Sequence, residues 1–303
     1  MTLRFVHWAM LLSLVALWGS SYLMIEIALT VWRPAEIAGL RVATAAVALA
    51  VVILLRRERL PSDWRHWRLL AVIAVVGNCL PFFLISWGQQ HLESGLAGIL
   101  AASTPLFVLV LAHFVLDDEP LGRRHIVAFM VGFAGIIVLM GRDSLAALGG
   151  SGDRLLAQLA ILGAAAGYAV ATVMARKLPG ASAVVTATGV MLVGTLLMAP
   201  YVAAGVGRLG IDSLGAAAAV GFVGILGTGI ASIVYFRLVA ETGARFTSML
   251  NYLVPVWAVA LGAAVLGETL PISAWLGAAM ILGALVLVAR AGTLPIKNLK
   301  KVS

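Results

Sequence analysis

Apolar and polar residues alternate along the chain in long blocks, and ten of the apolar blocks approach the roughly 20 residues that an α-helix needs to cross a hydrocarbon core. Short polar segments that contain Pro, Gly or charged residues separate these blocks. Helices are expected because lipid cannot satisfy the backbone N–H and C=O groups of an open strand. The pattern predicts ten membrane spans, at residues 8–29, 34–55, 67–89, 94–116, 124–141, 155–175, 181–203, 213–236, 243–266 and 273–290.

Composition supports the same class of protein. Of the 303 residues, 62% are hydrophobic and 11% are charged, whereas soluble globular proteins carry about 25% charged residues. The net charge of +8 does not indicate a nucleic-acid partner, because the basic residues are scattered over short loops without interleaved aromatic residues. The sequence therefore predicts an all-α polytopic membrane protein whose surroundings are the lipid bilayer.

Lys and Arg residues are distributed unequally between the two sides of the predicted helices. One side receives 15 of them and the other receives four, with Arg41 and Arg245 set aside because they fall within or near spans. Cytoplasmic loops carry the excess of Lys and Arg in membrane proteins. We therefore expect both termini to be cytoplasmic, in a protein of the bacterial inner (plasma) membrane.

The chain resembles itself when it is shifted by about 150 residues. This shift aligns Gly77 with Gly227 and Pro105 with Pro255, and a shift of 149 aligns Glu119 with Glu268. The alignment predicts two five-helix repeats, at residues 1–146 and 147–303, that form one transport unit.

Five spans per repeat is an odd number, so the second repeat must enter the membrane from the opposite side to the first. Inverted repeats of this kind are the plan of many secondary transporters, in which exchange of the conformations of the two halves alternates access to a central site. Duplication that serves stability alone is the other interpretation of the repeat.

Several motifs carry a resemblance to a known family. They are Trp18-Gly19-Ser20-Ser21 in span 1, Pro34 followed by Leu40-Arg41 in span 2, and the two proline-to-glutamate blocks that end at Glu119 and Glu268. With these motifs the sequence resembles the drug/metabolite transporter superfamily, in particular the EamA-type ten-span proteins, over nearly its whole length. Within that superfamily it is similar to the YddG group of amino acid exporters. The resemblance implies a cavity between spans 3, 4, 8 and 9, with spans 1 and 6 moving around it.

Polar and aromatic residues recur inside the apolar spans, which suits a mostly apolar cavity with a few placed polar groups. The predicted substrate-binding residues are Trp18, Ser21, Tyr22, Asn78, Phe82, Ser86, Tyr168, Ser248, Asn251 and Tyr252. For Asn78 and Asn251, hydrogen bonding between helices is the alternative to cavity lining.

A second group of residues is predicted to act in gating or as hinges. Pro81, Pro105 and Pro255 each lack an N–H and so free the carbonyl four residues earlier. Arg41 is a charged residue inside a span, which marks it as a functional candidate. Either it forms a structural or gating ion pair with Glu26 or Glu36, or it holds a substrate carboxylate directly.

The sequence lacks the motifs of other functional classes. It has no nucleophile elbow, Walker loop or His-Glu-x-x-His pair, and we predict no enzyme activity, no cofactor and no metal site. The predicted function is the export of small metabolites, in particular aromatic or large neutral amino acids, by gradient-driven alternating access. A drug or lipid translocator of the same superfamily is the alternative. A monomer suffices for transport, and a dimer is also compatible with the sequence.

Overall fold

The computed structural model describes residues 4–92, 94–116, 122–146, 148, 152–178, 182–208, 210, 213–257 and 272–291. Its α-helices are α1 (Phe5–Leu29), α2 (Pro34–Arg56), α3 (Trp64–Ala74), α4 (Leu80–Gly88), α5 (Ser94–Ala101), α6 (Thr104–Val115), α7 (Arg123–Ala146), α8 (Asp153–Arg176), α9 (Ala183–Leu197), α10 (Ala199–Val206), α11 (Leu214–Gly221), α12 (Ala231–Thr242), α13 (Ala244–Ser248), α14 (250–257) and α15 (Ile272–Ala291).

Two π-helical segments join neighbouring α-helices into longer spans. The first π segment, Val75–Cys79, connects α3 to α4, and the second π segment, Phe222–Ile230, connects α11 to α12. Five uninterrupted helical stretches among the described residues are long and apolar enough to cross a membrane, and a sixth is added if α9 and α10 form one span. The predicted all-α membrane architecture is confirmed, whereas the count of ten spans stays a prediction because residues 258–271 lie outside the described part.

Two of the spans break immediately before a helix that has a proline in its first turn. Between α5 and α6, the hydroxyl of Thr104 donates to the Ala101 carbonyl at 2.7 Å, and the hydroxyl of Ser103 donates to the Leu100 carbonyl at 2.6 Å. Pro105 follows in the first turn of α6, where a missing N–H costs little. Between α9 and α10 the chain bends by 76°, with Pro200 in the first turn of α10.

Helices α7 and α15 pack closely against each other at glycine positions. A Cβ atom on Gly277 would lie 2.4 Å from the backbone nitrogen of Leu139, and one on Gly135 would lie 2.9 Å from the Cβ of Met280. Small residues let the backbones of membrane helices approach, which compensates for the lack of a hydrophobic driving force in lipid. This α7/α15 pair is therefore held by close van der Waals contact.

The outward surface carries large apolar side chains, among them Leu55 and Phe114, which are each 79% exposed. Such exposure suits a hydrocarbon environment, because apolar side chains are not driven inward there. Eight of the buried polar and charged residues, among them Arg41, Asn78 and Thr228, instead line one interior space.

Candidate functional site

A central cavity lies between the helices, with about 1080 Å³ of empty space when the part that opens to solvent is included. Its lining comes from α1, α2, α3, α4, α5, α6, α8, α12, α13 and α14, and from both π segments. Among the described residues, α7 and α15 contribute nothing to it. The spans that the family resemblance implied around a cavity, 3, 4, 8 and 9 together with 1 and 6, all supply lining residues.

Both π segments place a polar side chain in the lining by the same local hydrogen bond. The side-chain amide of Asn78 donates to the carbonyl of Ile73 at 3.3 Å, and the hydroxyl of Thr228 donates to the carbonyl of Val223 at 2.8 Å. Each bond spans five residues, and the two polar residues are 150 positions apart. Departures from the regular α-helix of this kind are frequent at functional sites.

The contacts of the π segments with other helices are also reciprocal. A Cβ on Gly77 would lie 2.4 Å from the Cβ of Ala171, and one on Gly227 would lie 2.9 Å from the hydroxyl of Ser21. The 150-residue shift turns each of these contacts into the other, as a twofold relation between the two halves requires. The boundaries of the repeats, 1–146 and 147–303, stay a prediction.

Arg41 enters the cavity from α2. Its Nε atom donates to the hydroxyl of Thr228 at 2.7 Å, and its guanidinium carbon lies 3.8 Å from the centre of the Phe82 ring. The residue is only 7% exposed. A cation held over an aromatic ring and bonded through one nitrogen is fixed in orientation.

The predicted ion pair of Arg41 with Glu26 or Glu36 is wrong. Glu36 accepts instead from Nε of Arg208 at 3.1 Å and from the backbone N–H of Arg33 at 2.9 Å, and Glu26 is exposed on α1. Sequence spacing placed these acids near Arg41, but the direction of each side chain is set by how the helices are turned against their neighbours.

Aromatic side chains form much of the remaining wall. The indole N–H of Trp18 donates to the carbonyl of Gly227 at 2.8 Å, and its ring centre lies 5.6 Å from that of Tyr235. The hydroxyl of Tyr235 is in turn 2.6 Å from the hydroxyl of Thr172. The Trp18 bond connects α1 to the second π segment, and the Thr172–Tyr235 bond connects α8 to α12. Both bonds satisfy polar atoms that would be costly to bury alone.

Eight of the ten predicted substrate-binding residues line this one cavity: Trp18, Ser21, Tyr22, Asn78, Phe82, Tyr168, Ser248 and Asn251. The other two do not belong to the lining. Ser86 is 1% exposed and donates to the carbonyl of Phe82. Tyr252 is fully buried, and its hydroxyl donates to the carbonyl of Phe129 at 2.9 Å. Both are on a helix face that packs against protein, which helical spacing alone does not reveal.

The three predicted hinge prolines occupy different local settings. Pro81 follows the first π segment, where the N–H of Leu80 donates to the carbonyl of Val75. Pro105 lies at the start of α6, and the Ala101 carbonyl that it was expected to leave open accepts the Thr104 hydroxyl. Pro255 lies inside α14. Their role as hinges stays a prediction.

Sequence reasoning missed several lining residues, including Thr172, Thr228 and Ser232. The repeat contained a usable signal for all three, because the shift of 150 aligns Thr228 with Asn78, Thr172 with Tyr22 and Ser232 with Phe82. All three aligned residues are among the predicted substrate-binding residues. Small hydroxyl residues in an apolar span otherwise give no distinctive pattern, since they also bond to their own helix backbone.

The sequence matches the model of the EamA-like transporter family twice, over residues 6–141 and 155–290. Together the two matches cover most of the chain.

Individual relatives agree with that match. The chain is 30% identical to the inner membrane transporter YedA of Escherichia coli strain K12, over 92% of this chain and 89% of that protein. It is 29% identical to the chloroplastic WAT1-related protein At3g02690 of Arabidopsis thaliana, over 94% of this chain and 69% of that protein. It is 26% identical to a probable terminal-alkyne amino-acid exporter of Streptantibioticus cattleyicolor, over 93% of each chain.

A solved crystal structure shares the fold. It superposes with a TM-score of 0.75 over 95% of this chain and 99% of that one, at 21% sequence identity. The similarity concerns the arrangement of helices alone.

Proposed function

The chain belongs to the EamA-like transporter family, and from this premise we propose that it exports amino acids, with aromatic and other large neutral ones as substrates. Proteins of this family are transporters and not enzymes, and the chain is an integral membrane protein. The finer assignment, to amino acids and to export from the cytoplasm across a bacterial inner membrane, is the proposal.

The observation that carries the proposal is the composition of the cavity wall. Trp18, Tyr22, Phe82, Tyr168 and Tyr235 supply aromatic surface around a space of the size used by small-molecule sites. Hydroxyl and amide groups are interspersed among them. A wall of this kind matches a solute with a bulky apolar side chain and a polar backbone end. The name of the relative from Streptantibioticus cattleyicolor supports the same class of substrate.

Alternating access is the mechanism that we propose for this cavity. The reciprocal contacts of Gly77 with Ala171 and of Gly227 with Ser21 give each half an equivalent helix–helix contact beside the substrate. If the helices separate at one of these contacts while they close at the other, the cavity becomes accessible from the opposite side of the membrane. With both halves in one chain, a monomer is sufficient for this cycle.

We propose further that the solute gradient drives the transport without obligatory proton coupling. Proton-coupled carriers place titratable groups in the pathway, and the described lining contains no Asp, Glu or His. Flux in liposomes should therefore persist when the pH is equal on both sides.

The test is transport in proteoliposomes with radiolabelled phenylalanine, tryptophan, leucine and alanine, with and without unlabelled substrate on the opposite side. We expect saturable uptake of phenylalanine or tryptophan that is stimulated by counterflow. Flux that never saturates indicates a channel. Failure of every amino acid in protein that is verified as folded overturns the proposal in favour of a drug or lipid translocator, and strict dependence on an imposed pH gradient overturns the uncoupled mechanism.

A further inference from the structure

We propose that Arg41 makes the cavity select substrates that carry a carboxylate, and that it excludes organic cations which lack one. The inference rests on the proposed transport through this cavity and deepens it, because it assigns the charge of the transported group. It concerns anion recognition, so it does not depend on whether the substrate also carries an amino group.

The charge of the cavity is the first argument. Twenty-five residues line it, and among these described residues Arg41 is the only one with a formal charge. No Asp, Glu, Lys or His accompanies it in the lining. The cavity therefore presents a single positive charge inside an aromatic and aliphatic wall, where the low dielectric constant strengthens electrostatic interactions.

The acids that sequence spacing placed near Arg41 do not neutralise it. The described residues contain no carboxylate within 4 Å of its guanidinium, since Glu36 is bonded to Arg208 and Glu26 is exposed on α1. A buried charge without a counter-charge is strongly unfavourable. Charged residues inside membrane spans commonly bind a substrate or ion that supplies the opposite charge. The missing counter-charge is the group that the substrate supplies.

The geometry of the guanidinium suits a carboxylate. Its Nε atom is already bonded to Thr228 and one face covers the Phe82 ring. These contacts leave the two terminal nitrogens, Nη1 and Nη2, as the donors not used within the described part of the protein. A planar pair of N–H donors on adjacent nitrogens matches the two oxygens of a carboxylate.

The cavity also provides acceptors for an ammonium group, but none of them is charged. The amide nitrogens of Asn78 and Asn251 donate to the carbonyls of Ile73 and Ser248, so each side chain keeps its Oδ1 oxygen as an acceptor in a residue that lines the cavity. Neutral acceptors bind a cation more weakly than a carboxylate does. The carboxylate contact with Arg41 therefore determines selection, and the ammonium contact adds to it.

The first experiment uses the unaltered full chain and needs no variant. Inhibition of labelled phenylalanine uptake is measured with two compounds. One is 3-phenylpropionate, which keeps the carboxylate and lacks the ammonium, and the other is 2-phenylethylamine, which keeps the ammonium and lacks the carboxylate. We expect 3-phenylpropionate to inhibit at concentrations roughly tenfold or more below those of 2-phenylethylamine. Equal inhibition, or stronger inhibition by the amine, overturns the inference.

The second experiment changes the guanidinium. Arg41→Gln should weaken the inhibition by 3-phenylpropionate by about tenfold to a hundredfold. The same variant should leave the inhibition by 2-phenylethylamine unchanged or make it stronger. Arg41→Lys should retain part of the preference for 3-phenylpropionate over 2-phenylethylamine. Arg208→Gln is the matched control, because it removes an arginine that lies outside the lining, and it should retain the full preference. A preference for the acid that survives in folded Arg41→Gln protein overturns the inference.

The two proposals fail in different ways. If no amino acid is transported, binding of the same two compounds to purified protein is measured by the shift of its melting temperature. A larger shift with 3-phenylpropionate that disappears in Arg41→Gln sustains the inference while the amino acid assignment fails. Transport of phenylalanine that is inhibited equally by both compounds overturns the inference while the proposed function stands.

Discussion

The α7/α15 pair and the two π segments both depend on glycine, yet glycine serves a different purpose in each. In the α7/α15 pair, Gly135 and Gly277 let two regular helices approach at their backbones. In the π segments, Gly77 and Gly227 lie where the helix is irregular and where polar groups face a cavity. The first region gains stability from uniform close packing, and the second presents an uneven, partly polar surface to the cavity. Substitutions that separate stability from transport test this difference.

The largest effect is expected from Gly277→Ala in the α7/α15 pair. The new methyl group would lie 2.4 to 2.5 Å from three atoms of Leu139, two of them in the backbone, so the helices must separate. Overpacking of this kind costs about 1–3 kcal/mol. The apparent melting temperature in detergent should fall clearly. Gly283→Ala on the same helix has nothing within 4 Å of the new atom and should leave it unchanged or slightly higher. Equal melting temperatures for the two variants would contradict the packing argument.

A smaller loss of stability and a clear loss of transport are expected from Gly167→Ala. Its methyl group would lie 2.4 Å from the carbonyl oxygen of Val76 in the first π segment, and the irregular helix there can shift more easily than a regular one. We expect the maximal rate of phenylalanine counterflow to fall about tenfold, for a barrier rise of about 1.4 kcal/mol. Gly163→Ala, one turn earlier on α8, meets only a side-chain atom at 3.8 Å and should transport normally. If both variants lose transport equally, the π segment is not the cause.

A more limited effect is expected from Thr228→Val in the second π segment. The substitution removes the hydroxyl that accepts from Arg41 and donates to Val223, while it preserves the volume of the side chain. Half-saturation for phenylalanine should rise by roughly five- to tenfold, in line with the loss of one hydrogen bond to a charged group. Thr228→Ser keeps the hydroxyl and should stay within about twofold of the unaltered protein. Equal half-saturation constants for the Val and Ser variants would show that the hydroxyl does not position Arg41.

The smallest effect on transport is expected from Tyr252→Phe, because Tyr252 contributes to packing against α7 and does not line the cavity. The hydroxyl of Tyr252 donates to the Phe129 carbonyl, away from the cavity. Its removal should lower the stability by about 1 kcal/mol without a change in half-saturation. A shift in half-saturation would place Tyr252 in the substrate pathway after all. Melting curves and counterflow on the same preparation provide both readings.

The helical type of the spans was predictable because it depends on local properties of the chain. Apolar blocks of bilayer length, turn residues between them and helical spacing of polar groups are all present in the sequence, and the described helices begin and end within a few residues of the predicted ones. The π segments were not predicted. Each π segment makes a close contact with a helix far away in the sequence, such as that of Gly77 with Ala171, and the spacing of residues along one span does not reveal such contacts.

The sequence by itself determined that the chain lies in a membrane, that it is helical, and that polar and aromatic residues such as Trp18, Asn78 and Tyr168 share helix faces that can meet. Only the tertiary structure decided which candidates reach the cavity, because that depends on how each helix is rotated about its axis. Rotation placed Tyr252 and Ser86 against protein, turned Glu36 towards Arg208, and left Arg41 facing the cavity beside Thr228. In lipid, helix rotation is set by close packing between helices and by interhelical hydrogen bonds. These contacts join residues far apart in the chain, so their energies are decided only when the helices assemble.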